Sequence, residues 1–458
     1  MVEIAKFPQE VLDMLSVYLL PVEKQSWRPY CKSKPTSEAR YRDMCWVQGA
    51  TDIYATVYSD PLLMLFMTGD RLLHHKIFKL RHMELGITRP RTTVLFPKFE
   101  NLTKLAIALD MLPLVDKAQK QLPSSLTSLD ITDPVPGHKS IIYDITKCVF
   151  PESLTHFGLN LSHNGMYYAN LTTNIPHQEV FLKNLPKTLL SLALPAAGCD
   201  STMSEIFPNL VALKIFGANT CDDLFWEKFP QSVEIFEGMM QFFDGDHLEH
   251  LPKILTEFSM QFVNFTITDA DVGVLSRQLV KLDVRKAGGL TTQCVDLLPK
   301  TLTKLGIKFV LESTTFLDKL PRGLTYLYMN CLGNLRFDDL NGLPQGLTYL
   351  HVILKANLEN VVFPPKLITL NLFHNGSIDR SFWQTIPKSI TSLSSSYQFS
   401  KNDFGKREYY DEEICRYRDI NFCKIGLPPG LRYLSVPDTA PAAFRGMCRE
   451  IFPIINFV

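Results

Sequence analysis

The sequence predicts an α/β solenoid, in which units of about 22 residues each give one short strand to a long parallel sheet. Three observations carry this. A phrase, Leu/Phe-Pro-x-x-Leu-x-x-Leu-x-apolar, recurs from about residue 97 to 436, as in LPSSLTSLDI at Leu122, LPKTLTKLGI at Leu298 and LPRGLTYLYM at Leu320. Its prolines keep a period: Pro186, Pro208, Pro230 and Pro252 are 22 apart, and Pro299, Pro321, Pro344, Pro364 and Pro387 follow at steps of 22, 23, 20 and 23. Within a unit the apolar positions fall 3, 6 and 8 residues after the proline, as in Leu302, Leu305 and Ile307. The last two are two apart, the period of a strand, so the residues flanking them face the opposite side of the sheet.

Residues 1–95 contain no phrase. The stretch FPQEVLDMLSVYLLP from Phe7 reads as a helix, with Pro8 in the first turn, Glu10 near the N-terminus, and Leu12, Leu15 and Leu19 on one face. Apolar stretches at 41–47, 53–58, 62–67 and 72–80 complete a small, mainly helical N-terminal module. Residues 96–440 hold about fourteen units, with insertions near both ends: the first proline steps are 26, 28 and 35 residues, and the last, Pro387 to Pro428, is 41. The insertion at 397–424 is dense in charge and tyrosine and reads as a degenerate repeat or a rim loop. Residues 441–458 form a C-terminal cap. No unit can bury its own leucines, so neighbours bury them. The proline suits a strand entrance, where no ladder donor is needed. The segments returning from each strand lack helical periodicity, so irregular turns are expected on the convex face of a horseshoe whose concave face is the sheet.

One strand per unit of this length resembles a leucine-rich repeat. The proline with its Ser-(Leu/Val)-Thr-x-Leu run resembles the FNIP repeats of amoebae and giant viruses, and the LPxxL core resembles the repeats of bacterial effector ubiquitin ligases. The asparagine that many leucine-rich repeats carry after the strand is mostly missing; Asn375 is one of few candidates. The pattern Phe7-Pro8-x-Glu10-Val11-Leu12, followed by Leu15, Leu19 and Cys31-Lys32, resembles an F-box. That resemblance implies docking on the Skp adaptor of a cullin ubiquitin ligase through Pro8, Glu10, Leu12, Leu15 and Leu19. Two departures weaken it: Lys24, Gln25 and Ser26 stand where an acidic-leucine pair is usual, and Pro29 interrupts the next helix. The other reading of residues 1–95 is a cap over the open edge of the solenoid.

The chain carries 47 basic and 47 acidic side chains, so no overall attraction to nucleic acid or acidic lipid is expected. It has no run of 18 apolar residues and no signal peptide in MVEIAKFPQEVLDM, so no membrane partner is expected. Its ten cysteines lack the paired spacing of a disulfide framework or zinc site. An intracellular place, cytoplasmic or nuclear, is expected, with no metal or other cofactor. No phosphate loop, HExxH or GxSxG sits in a usable context. Cys221-Asp222-Asp223 resembles the Cys-x-Asp of the bacterial effector ligases. It falls between two repeat strands, however, and a thiolate nucleophile needs electropositive surroundings that two aspartates do not supply. No enzyme is expected.

Strand alternation identifies the exposed face as residues 5, 7 and 9 after each proline. Successive units then give Lys281, Asp283, Arg285, Lys304 and Lys308, followed by Tyr326, Tyr328, Asn330, Tyr349 and His351, and finally Asn371 and Phe373. A basic stripe adjoins an aromatic one, the chemistry of interface hot spots. Lys281, Arg285, Lys304, Lys308, Tyr326, Tyr328, Tyr349, His351 and Phe373 are the candidate partner-binding residues. The bland alternative is that such side chains suit any solvated strand. The expected function is a protein-interaction solenoid that recruits substrates to a cullin-type ubiquitin ligase; the alternative is a leucine-rich-repeat binding or scaffold protein with no ubiquitin link.

Overall fold

The recurring phrase folds as a tight turn that feeds a strand. The structure is a computed structural model. It describes residues 103–108, 122–132, 148–160, 178–195, 201–217, 223–240, 245–260, 266–310, 315–332, 337–354, 362–374, 385–397 and 430–436, a few isolated residues between them, and strand backbone at 82–85 and 455–457. In most of the turns the proline carbonyl accepts the N–H of the apolar residue three positions on: Leu126 to Pro123 at 3.0 Å, Leu302 to Pro299 at 3.3 Å, Leu324 to Pro321 at 3.2 Å. The proline therefore opens the turn, and the strand begins five residues later, at Lys304 after Pro299. The leucine before the proline closes the preceding turn. Leu298 donates to Val295 at 3.3 Å and sits at φ −61°, ψ 137°, the extended region that a following proline favours.

The polar positions of the phrase couple neighbouring units. Four residues after the proline, a threonine reaches back to the preceding unit. Thr325 donates both its N–H (2.8 Å) and its hydroxyl (3.2 Å) to the Thr303 carbonyl, which also accepts the Tyr326 N–H at 3.1 Å. Thr127, Thr155 and Thr348 repeat the hydroxyl contact at 3.0–3.1 Å. Two residues after the proline, a Ser or Thr hydroxyl contacts two carbonyls of the preceding unit: Thr301 reaches Arg277 and Leu279, and Ser389 reaches Pro365 and Leu367. Ser276, which replaces a proline, is buried and donates instead to Lys253 at 2.7 Å.

The chain divides into two compact units, Met1–Ser232 and Val233–Val458. In the first, β1 (His82–Leu85), β2 (Lys104–Ala108), β3 (Ser128–Thr132), β4 (His156–Asn160), β5 (Ser191–Pro195) and β6 (Ala212–Gly217) pair in sequence order, each parallel to the next. In the second, β7 (Ile235–Met240), β8 (Glu257–Met260), β9 (Lys281–Val284), β10 (Lys304–Val310) and β11 (Tyr326–Leu332) do the same. They continue as β12 (Tyr349–Leu354), β13 (Thr369–His374), β14 (Ser392–Tyr397), β15 (Tyr433–Val436) and β16 (Ile455–Phe457). This is a leucine-rich-repeat-like solenoid. β1 lies inside the segment assigned to the N-terminal module, and β16 lies inside the C-terminal segment 441–458. Pro8, Glu10, Leu12, Leu15 and Leu19, and nearly all of the insertion, lie outside the described residues.

The returning segments are more helical than the sequence pattern suggests. α1 (Gln178–Asn184), α2 (Met203–Ile206), α3 (Asp223–Glu227) and α4 (Asp269–Val274) are one or two turns long, and 3-10 turns occupy Asp246–His250, Thr292–Leu297, Thr315–Lys319 and Phe337–Gly342. A single turn shows no 3.6-residue period, which is why the sequence reads as irregular there. Some of these turns anchor aromatic side chains against the strands. Phe181 packs at 5.9 Å from Phe157, and Phe316 at 5.3 Å from Phe309. The repeated apolar positions are the core: Leu324, Leu327 and Met329 are all 0% exposed. Each such leucine contributes about 1.5–3 kcal/mol by burial.

Candidate functional site

Register decides which candidate residues meet. In the second unit the strands align Glu257, Lys281, Lys304, Tyr326 and Tyr349 in one row across the sheet. A second row aligns Ser259, Asp283, Gly306, Tyr328, His351 and Asn371. Lys308 and Asn330 pair in a third, with Ile353 and Phe373 beyond them. The rows are the positions 5, 7 and 9 read from the sequence. The side chain of Phe373 lies outside those described.

The aromatic residues form stacked pairs. The Tyr326 and Tyr349 rings are 4.2 Å apart and 8° from parallel, and Tyr328 stacks on His351 at 4.0 Å and 17°. Asn371 donates to the Tyr349 hydroxyl at 3.0 Å. Each stacked pair is worth about 0.5–1.5 kcal/mol beyond its burial. Burial, and then the neighbouring Tyr349, pushes the Tyr326 hydroxyl up to about 12. Burial also raises Tyr328, against the opposing pull of Arg285. Burial, followed by the Arg285 charge, pulls His351 down to about 4, so its ring is neutral at physiological pH.

The basic residues divide into spent and available charges. Lys281 pairs with Glu257 at 3.1 Å. Arg285 is gripped edge-on by Asp283: Nε donates to Oδ1 and Nη2 to Oδ2, both at 2.8 Å. Its guanidinium carbon also sits 4.8 Å from the centroid of the Tyr328 ring. Burial opposes its charge, but the Asp283 hydrogen bonds and charge prevail and hold it protonated. Arg285 follows β9, whereas Tyr328 belongs to β11, so the side chain crosses β10. It crosses at Gly306. A Cβ there would lie 2.7 Å from Asp283 Oδ1 and 3.1 Å from Arg285 Cγ. The basic and aromatic stripes thus join through a gap that a glycine leaves in the face.

Beside this bridge lies a cleft of about 510 Å³ lined by Asp283, Arg285, Lys286, Lys308, Tyr328 and Asn330. Among the described residues, Lys286, Lys304 and Lys308 form no ion pair. Sequence reasoning missed Lys286, which follows the strand, and Gly306, which has no side chain to draw notice. The signal for Gly306 was present: a glycine at a face position between charged and aromatic neighbours marks close approach.

The first unit carries an unexpected cluster. His156 on β4 makes a 2.8 Å hydrogen bond through Nδ1 with Ser191 on β5, and a 3.2 Å contact through Nε2 with Asp130 on β3. The residue types are those of a hydrolytic triad. The Ser191 N–H, however, the usual first donor of an oxyanion hole, is already committed to the Thr155 carbonyl at 3.0 Å. The cluster ties three strands together. Two of the described thiols lie in settings that disfavour the thiolate or hide it. Cys221 is buried, and burial together with Asp269 pushes Cys294 well above the usual thiol range. Among the described residues no group of His, Cys, Asp and Glu could hold a metal ion, and no helix is long and apolar enough to cross a membrane.

No family model matches the chain, and no curated protein matches it. Solved structures do. The chain is similar to CroV588, described as a novel circular LRR protein, with 20% identity, 79% of this chain and 47% of that one covered, and a TM-score of 0.40. It is similar to an internalin of Listeria monocytogenes, with 15% identity, 65% and 88% covered, and a TM-score of 0.39. A plant peptide hormone receptor, RGFR1 in complex with RGF2, follows with 14% identity, 84% and 64% covered, and a TM-score of 0.34. The chain spans about half the length of the first of these. The leucine-rich-repeat fold rests on the phrase and its parallel ladder.

Proposed function

We propose that the protein is a recognition module whose β8–β13 face binds a protein partner. One observation carries this: the stacked pairs Tyr326–Tyr349 and Tyr328–His351 stand half-buried on an open sheet face, beside Lys304 and Lys308 with their charge unspent. Stacking and the Asn371 contact hold the rings before any partner arrives, which lowers the ordering cost of binding. Repeat solenoids commonly bind across such surfaces. The buried thiols Cys148, Cys199, Cys221 and Cys294 suit a reducing, intracellular setting.

A photo-crosslinking residue placed at Lys304, on the face, or at Lys253, on the proline turn that feeds β8, tests the reading. A partner captured only from position 304, and lost when Tyr326 and Tyr349 become alanine with the circular dichroism unchanged, is the expected result. Equal capture from both positions, or capture indifferent to the tyrosines, would overturn it.

A second reading adds an adaptor role. The pattern Pro8-x-Glu10-Val11-Leu12 with Leu15 and Leu19 favours docking on a Skp-type adaptor, which would make the solenoid the substrate-recruiting part of a cullin-type ubiquitin ligase. Co-elution of the full chain with a Skp adaptor supports that role. Separate elution removes the ubiquitin link and leaves the binding face as it stands.

A further inference from the structure

The cleft beside Arg285 has a chemistry more specific than protein binding in general. Three cations, Arg285, Lys286 and Lys308, line it against one carboxylate, Asp283. That carboxylate is committed: both its oxygens accept from Arg285 at 2.8 Å. The pairing uses Nε and one N–H of Nη2. The remaining N–H groups, on Nη1 and Nη2, have no acceptor among the described residues. One edge of the guanidinium is fixed by Asp283 and one face by Tyr328, so the free edge is oriented before a ligand arrives. Lys308 stands one residue beyond the last paired position of β9 and β10, directly across from Arg285. Lys286 follows on the exposed turn. Asn330, paired with Lys308 in the register, adds an amide.

We propose that this cleft receives the side-chain carboxylates of an acidic segment of the partner protein. The proposal rests on the protein-recognition reading and names the chemistry of what is recognised. Charge complementarity selects the occupant, since the cleft has cationic donors to spare and its own anion is already satisfied. Its volume of about 510 Å³ exceeds what a single small anion fills and accommodates consecutive side chains of a peptide. Tyr328 provides an apolar wall for their methylene stems. An oriented arginine fork matches a carboxylate in two parallel hydrogen bonds.

The test uses the full chain and a fluorescein-labelled hexaglutamate peptide, with hexaglutamine and a phosphoserine peptide of equal length for comparison, followed by fluorescence anisotropy. Hexaglutamate is expected to bind and hexaglutamine not to. Lys286→Gln with Lys308→Gln should weaken hexaglutamate about tenfold, and a rise from low to physiological salt should weaken it further. Lys253→Gln on the proline turn that feeds β8 should leave hexaglutamate binding unchanged. Because Arg285→Gln could disturb the fold, Arg285→Lys serves as the milder variant. It keeps the charge, loses the fork, and should also weaken binding. Absence of hexaglutamate binding, or binding indifferent to Lys308, would overturn the proposal. So would preference for the phosphoserine peptide with no hexaglutamate binding. If capture from position 304 persists in that case, only the occupant's chemistry falls; if capture fails as well, the recognition face itself falls.

Discussion

Gly306→Ala is the most informative single substitution. The added Cβ would lie 2.7 Å from Asp283 Oδ1, 3.0 Å from its Cγ and 3.1 Å from Arg285 Cγ, where ordinary contact begins at 3.4 Å. The carboxylate has to retreat by roughly 0.7 Å to restore van der Waals contact. That carries its two 2.8 Å hydrogen bonds to Arg285 to the edge of hydrogen-bonding range. Hydrogen bonds to charged groups are worth about 1.5–3 kcal/mol, less where water screens the pair as it does here. Alanine recovers about 0.4–1 kcal/mol through the unfolded chain. The net is a loss of about 1 kcal/mol, with a larger loss of hexaglutamate affinity because the fork is no longer aimed. Gly323→Ala is the control, since its Cβ meets only the Leu302 carbonyl at an ordinary 3.5 Å. Urea midpoints read by circular dichroism should move in opposite directions, down for Gly306→Ala and up slightly for Gly323→Ala. Equal midpoints for the two variants would show that the glycine gap does not hold the Asp283–Arg285 bridge.

Gly323→Thr should raise the urea midpoint by the equivalent of about 1 kcal/mol, because the threonine hydroxyl would reach the preceding unit's carbonyls as Thr301 does; no gain over Gly323→Ala would discount that ladder. His351 is held near 4 against an ordinary 6.5, so the unfolded chain takes up its proton first as pH falls. Stability is therefore full above about 6.5 and declines toward about 4, by on the order of 1–2 kcal/mol after allowance for solvent. His351→Phe keeps the stack on Tyr328 and should lose less stability than the parent chain between about pH 7 and about pH 4.5; an equal loss would assign the pH response to other groups.

The face was legible in the sequence because strand alternation needs only local counting. Tyr326, Tyr328, Tyr349 and His351 fall where positions 5 and 7 put them. What was not legible depends on two neighbouring strands at once. Nothing in the run of residues around Lys304 says that Gly306 clears a path for Arg285, or that Lys281 is neutralised by Glu257 while Lys308 is not. The returning turns were obscured differently: one helical turn carrying Phe316 and Leu317, or Phe225 and Trp226, has no period to detect. His156 also escaped the sequence list, because its partners Asp130 and Ser191 lie on the strands to either side.

The contrast between the two sheet faces explains why recognition is assigned to one of them. Both are built from the same phrase, so scaffold stability does not discriminate between them. The difference lies in whether unspent charge stands beside stacked rings. On the first unit His156 spends both ring nitrogens on Ser191 and Asp130. On the second, Lys281 and Asp283 are likewise spent, yet Lys286, Lys304 and Lys308 keep their charge beside rings that are already stacked. A satisfied polar group loses a hydrogen bond when a partner displaces its neighbour, whereas an unspent cation next to an ordered aromatic wall gains one. Rigid apolar area and unspent charge coincide from Arg285 to Tyr349, which is why the proposed recognition face is drawn there.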